Sequence, residues 1–145
     1  MQSMTIHATT TTVRKSSRAL NITLWVLQVL LAAAYVAHGW MMVSPPAELL
    51  ALMNEQLGES FRLFIGVAEL LAAAGLILPG VTRILPFLTS LAAAGLMIVM
   101  SSATVLHIYR GENSSAVSAV ILFALVTFVA YARWKVQPIA GRERT

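Results

Sequence analysis

Apolar residues fall into four long runs, and polar residues gather in the gaps between them. The first run extends from about Leu20 to Val43, where Pro45-Pro46 stops it. The second extends from about Ser60 to Leu78 and meets Pro79-Gly80, a turn signal. The third runs from about Arg83 to Leu106, with Pro86 in its first turn, where a missing N–H costs little. The fourth runs from about Ser115 to Trp134. A bilayer core about 30 Å thick needs roughly 20 apolar residues in a helix rising about 1.5 Å per residue. All four runs meet that length. Backbone polar groups cannot stay unpaired in hydrocarbon, so the runs are expected to be helices. The two-residue alternation of a membrane β-barrel is missing. The pattern predicts an all-α, four-helix transmembrane bundle.

Between the first two runs, Leu49, Leu50, Leu52, Met53 and Leu57 interleave with Glu48, Asn54, Glu55 and Gln56 at helical spacing. That spacing predicts a short outer amphipathic helix, either a plain connection or a lid over the bundle mouth. Lys and Arg set the orientation. Arg14, Lys15 and Arg18 precede the first span, Arg83 follows the second, and Arg133, Lys135, Arg142 and Arg144 follow the fourth. The two opposite loops carry only Arg62 and Arg110, together with Glu48, Glu55, Glu59 and Glu112. Both termini are therefore expected on the cytoplasmic side of a bacterial-type inner membrane. The chain divides into a disordered cytoplasmic tail over 1–19, a four-span domain over 20–135 and a basic tail over 136–145. A secretory signal is a poorer reading of the first run, which continues through Tyr35 and Trp40, beyond the length of a signal core.

Composition agrees. Hydrophobic residues make up 58 % and charged residues 11 % of the 145 residues, against roughly 45–50 % and 25 % for soluble domains. A soluble domain of this size has too little interior to hide that surface, so lipid must cover it. There are no cysteines, which removes disulfides and thiolate chemistry. The net charge of +4 flanks apolar spans and does not line a soluble face, so no nucleic-acid partner is expected. Leu-Ala-Ala-Ala-Gly-Leu occurs at Leu71–Leu76 and again at Leu91–Leu96. Small residues let helix backbones approach in lipid, which predicts a tight hairpin of spans two and three and leaves room for self-association.

Ionisable groups at bilayer depth cost roughly 2.5–3.5 kcal/mol on insertion scales, so each needs a reason. Glu69 is the deepest. At about 100° per residue, Arg62, Gly66, Glu69 and Ala73 share one face with the small residues, which should turn inward. Arg62 lies two turns away, roughly 10 Å along the axis, so it reaches Glu69 only by folding inward or through water. Otherwise Glu69 meets a histidine or tyrosine of another helix. His38 and Tyr35 lie on one side of span one, while His107 and Arg110 close the end of span three. A pocket holding Tyr35, His38, Arg62 and Glu69, with His107 at its rim, would set proton donors and acceptors beside apolar walls. Such a site suits a quinone or another small amphiphile. The spacing of the two histidines and one carboxylate does not mark a metal site.

The stretch Phe61-Arg62-Leu63-Phe64-Ile65-Gly66-Val67-Ala68-Glu69-Leu70-Leu71, followed by Gly75-Leu76 and Pro79, resembles the hallmark of the DoxX-like membrane family. His38-Gly39 and Ala103-Thr104-Val105-Leu106-His107 fit as well, and the resemblance covers about residues 20–135. It implies a four-helix bundle related to the quinone-linked subunits of thiosulfate oxidoreductases, with functional weight on Arg62, Gly66 and Glu69. Three functions follow. The first is a quinone-associated redox subunit whose partner protein supplies a metal or flavin. The second is a dimeric small-molecule transporter working through Glu69. The third is a membrane assembly or binding subunit.

Overall fold

Five α-helices and one π-helical turn make up the protein in the computed structural model, which describes residues 18–141. In chain order they are α1 (Arg18–Val43), α2 (Ala47–Leu57), α3 (Glu59–Thr82), α4 (Phe87–Tyr109) and α5 (Asn113–Tyr131). The π-helical turn (Ala132–Val136) continues α5. Among the described residues there is no strand. Arg14, Lys15, Arg142 and Arg144, which carry part of the orientation argument, lie outside the described residues, as does the tail expected to be disordered over 1–19 except for Arg18 and Ala19, which open α1. Among the described residues, four helices are long and apolar enough to cross a membrane: α1, α3, α4, and α5 with its π-helical extension.

Packing follows chain order around the bundle, α1 on α3, α3 on α4 and α4 on α5, with a lighter contact closing α5 onto α1. Leu24, Leu31, Leu76, Leu96, Val126 and Val129 fill the core. Leu71, Ile98 and Val105 stay 68 %, 71 % and 69 % exposed. Apolar surface of that extent is stable only against hydrocarbon. Trp40, Tyr109 and Trp134, near span ends, are also exposed, as amphipathic rings at a membrane interface would be.

Where α1 crosses α3, two glycines meet. A Cβ on Gly66 would lie 2.8 Å from Met42 Cβ and from Val43 Cγ2, and 2.9 Å from Gly39 O. A Cβ on Gly39 would lie 2.9 Å from Gly66 O. The repeated hexapeptide likewise forms a seam between α3 and α4, with the Gly75 backbone against Ala92. Its second glycine, Gly95, faces open space, so only the first copy needs glycine for contact.

Two boundaries differ from the sequence reading, for one connected reason. Helix α3 runs on through Pro79-Gly80 to Thr82. A proline inside a helix removes one N–H and crowds the preceding turn. Here Gln28 of α1 supplies a donor to that turn, its Nε2 lying 2.6 Å from Leu76 O. The chain reverses afterwards, with Arg83 and Leu85 at φ +58 and +48, and α4 starts only at Phe87 behind Pro86. Successive spans are antiparallel, so the start of α1, the α3–α4 turn and the end of α5 share one end. Arg18, Arg83, Arg133 and Lys135 lie there. The other end holds α2, the α4–α5 turn, Arg62 and Arg110. Beyond the fourth span the chain does not leave at once, since Gln137 is buried and its carbonyl accepts from Arg133.

Candidate functional site

The inward face of α3 carries Arg62, Gly66, Glu69 and Ala73, all buried. Glu69, fully buried, lies 2.6 Å through Oε2 from Nδ1 of His38 on α1. The close Gly39–Gly66 crossing makes this reach possible: His38 is next to one glycine and Glu69 is three residues from the other. A carboxylate only accepts hydrogen bonds, so His38 Nδ1–H donates and Nε2 is left for another partner. Glu69 Oε1 and the hydroxyl of buried Tyr35 are both without a protein partner.

These groups line a cavity of about 1120 Å³ between the four spans, roofed by Met53, Gln56 and Leu57 of α2. Its walls are chiefly apolar, with Met42, Phe61, Phe64 and Ile65 on one side and Val99, Met100, Leu106 and Leu122 on the other. Phe64, Ile98 and Val105 line it while remaining exposed, so the cavity is open and not sealed. His107 lines the opposite wall and pairs through Nδ1 with Glu112 Oε2 at 2.5 Å. Arg110 ties the α4–α5 turn to the roof, donating through Nη2 to Gln56 O at 2.7 Å.

Tyr35, His38, Glu69, His107 and Arg110 thus surround one cavity. Arg62 and Gly66 lie behind its wall. Arg62 does not pair with Glu69: its Nε donates to Asn54 Oδ1 of α2 at 2.8 Å and its Nη1 to Met42 O in the last turn of α1. It satisfies an orphan carbonyl at a helix end and fastens α2 there. No residue of α2 is buried, so α2 depends on such tethers. Removing a charged hydrogen bond costs about 1.5–3 kcal/mol, tenfold for each 1.4 kcal/mol. Arg62→Ala is therefore expected to speed amide hydrogen exchange across residues 47–57 by roughly 10- to 100-fold. Unchanged exchange there would mean that α2 is held by other contacts.

A second buried polar cluster occupies the opposite end. Arg133, 3 % exposed, donates through Nε to Gln28 Oε1 at 2.6 Å and through Nη1 to Asn21 Oδ1 at 2.8 Å. Its guanidinium lies 5.5 Å from the centroid of the Trp25 ring. All these partners are neutral. Sequence reasoning placed Arg133 among the flanking basic residues, because its partners lie 105 and 112 positions away. It placed Glu112 only among the loop carboxylates and missed its pairing with His107, five residues away. Among the described residues, no three His, Cys, Asp or Glu come together to hold a metal ion.

Four membrane-length helices around an apolar cavity with charged groups in its wall define a multi-pass membrane protein. The chain belongs to the DoxX-like family, whose model matches residues 26–129. That stretch holds every cavity residue named above and stops short of Arg133. No curated protein and no solved structure shows a significant match.

Proposed function

We propose that this DoxX-like protein is a quinone-associated redox subunit of a bacterial-type inner membrane. Both termini and the Arg133 end face the cytoplasm, and α2 covers the outer mouth of the cavity. The orientation follows from the excess of Lys and Arg at one end. The chemical reading rests on one observation: a His–carboxylate pair at 2.6 Å in the wall of a large, open, apolar cavity between membrane-length helices. An apolar cavity with a few convergent polar groups suits a small amphiphile, and the open side admits one dissolved in hydrocarbon.

Oxidation of a quinol breaks two O–H bonds, releasing two protons and two electrons. His38 Nε2 accepts one proton, and Glu69 steadies the imidazolium that results; the other proton leaves to water at the mouth, where His107 is partly exposed. Buried Tyr35 packs behind His38 in the wall, while His107 and Arg110 bound the mouth. Arg62 and Gly66 are positioning residues, acting through the α1–α3 crossing. The electrons pass to a flavin or metal centre on a partner protein, because carriers of that kind supply the redox chemistry.

Detergent-purified full-length protein is expected to bind decylubiquinone saturably. Ala103→Trp, which fills the cavity from α4, is expected to weaken binding about tenfold or more, equivalent to about 1.4 kcal/mol. Absence of saturable binding, or binding indifferent to the tryptophan, would sink this reading.

A further inference from the structure

The cavity stops at one depth on all four spans. Its innermost lining residues are Ala34 on α1, Glu69 on α3, Ile98 on α4 and Leu122 on α5. Each lies about ten residues from the α2 end of its helix, which at about 1.5 Å per residue is about 15 Å, half of a bilayer core about 30 Å thick. The acidic and basic residues that line the cavity, His38, Glu69, His107, Arg110 and Glu112, all lie in that half. At the mouth, the side chains of His107 and Glu112 are 29 % and 38 % exposed.

The other half is packed. Next to the cavity floor, Leu31, Ala73, Leu76, Leu96, Val126 and Val129 are 0–2 % exposed. Beyond them, Arg133 Nε donates to Gln28 Oε1 and Gln28 Nε2 donates to Leu76 O, so one chain of hydrogen bonds ties the extension of α5 to α1 and α3 across the bundle. A guanidinium stays charged throughout the physiological pH range, and a fixed cation of this kind is a barrier to protons. Farther out, Trp25 and Ile139 close over Gly80, where an added Cβ would lie 2.7 Å from Trp25 Cη2 and 3.0 Å from Ile139 Cδ1. A proton leaving the site in this direction would cross an apolar layer and then pass a permanent positive charge.

We infer that the cavity is a half-channel, whose groups exchange water and protons with the α2 side of the membrane alone. Its chemistry rests on the quinone-site reading above, to which it adds a direction. A quinol oxidised at His38–Glu69 gives two electrons to the flavin or metal centre of the partner and two protons to the α2 side, which that reading places outside. With the acceptor on the cytoplasmic face, each turnover separates charge across the bilayer and adds to the proton gradient.

The chain has no cysteine of its own, so a single introduced thiol reports by itself. Full-length protein in right-side-out and inside-out membrane vesicles is treated with a charged, membrane-impermeant methanethiosulfonate. Glu55→Cys on α2 and Lys135→Cys at the opposite end, both at exposed positions, mark the two faces. Ala34→Cys at the cavity floor and Ser118→Cys on the α5 wall are expected to react from the Glu55 face and to remain unlabelled from the Lys135 face. Reaction of either from the Lys135 face, or of Ala34→Cys from neither face, would overturn the half-channel and leave the quinone site standing. In proteoliposomes with a trapped pH-sensitive dye, the wild-type protein is expected to dissipate an imposed pH step no faster than protein-free vesicles. Faster loss would overturn the half-channel as well. One-sided labelling of protein that binds no decylubiquinone would support the half-channel and remove the quinol as its proton donor.

Discussion

Replacing Gly66 with leucine is expected to abolish the folded bundle, so that detergent extracts yield aggregate where the wild type gives a single symmetric peak. The reason is geometric. A Cβ at Gly66 would lie 2.8 Å from Met42 Cβ and Val43 Cγ2 and 2.9 Å from the Gly39 carbonyl. The third of these is backbone and cannot move aside by changing rotamer. Overpacking a well-filled contact costs about 1–3 kcal/mol and occasionally more, and here the whole α1–α3 crossing must open. Opening it also strips Arg62 of Met42 O and draws His38 from Glu69, so polar groups lose partners together. The control is Gly95→Leu. Nothing lies within 4 Å of the Cβ it would add, so the variant should behave as the wild type does. A monodisperse, heat-resistant Gly66→Leu protein would show that the helices cross elsewhere.

The second large effect is chemical. Purified protein is expected to accelerate oxidation of decylubiquinol by ferricyanide, in which one quinol and two ferricyanides give quinone, two ferrocyanides and two protons. Proton removal by a positioned base contributes about 10²–10⁴-fold, and Glu69→Gln is expected to remove most of it. Glutamine keeps the volume and can still hydrogen-bond His38, but it holds no negative charge to stabilise the imidazolium. The bundle should therefore assemble while the base fails. Acceleration that survives in Glu69→Gln would assign proton removal to another group, with Tyr35 and His107 the next candidates at the cavity wall.

Much of this site is readable along the chain, and the unreadable parts share one cause. Arg62, Gly66, Glu69 and Ala73 fall on one helical face whatever surrounds them, so their common burial follows from spacing. A histidine partner for Glu69 is one of the few ways to bury that carboxylate, and His38 lies on the neighbouring span at matching depth. The direction of Arg62 is different. Its long side chain can turn either way along the axis, and it turns towards Met42 O because α1 ends there with free carbonyls. Neither the end of α1 nor the position of Asn54 over it is encoded near Arg62. The course of α3 past Pro79 depends in the same way on Gln28, and Gln28 is oriented by Arg133. Helical periodicity reports which face a residue occupies. Partners contributed by other spans become visible only once the spans are packed.

The guanidinium of Arg133 has consequences for the molecule as a whole. It is a permanent cation held among neutral groups at one end, while the Glu69 carboxylate lies across the core towards the other. Moving one elementary charge through 100 mV is worth about 2.3 kcal/mol. In the orientation proposed above, an energised membrane, negative inside, would exert a torque on the folded bundle that holds its arginine end against the cytoplasm. The voltage that respiration maintains would help to keep the protein the right way up.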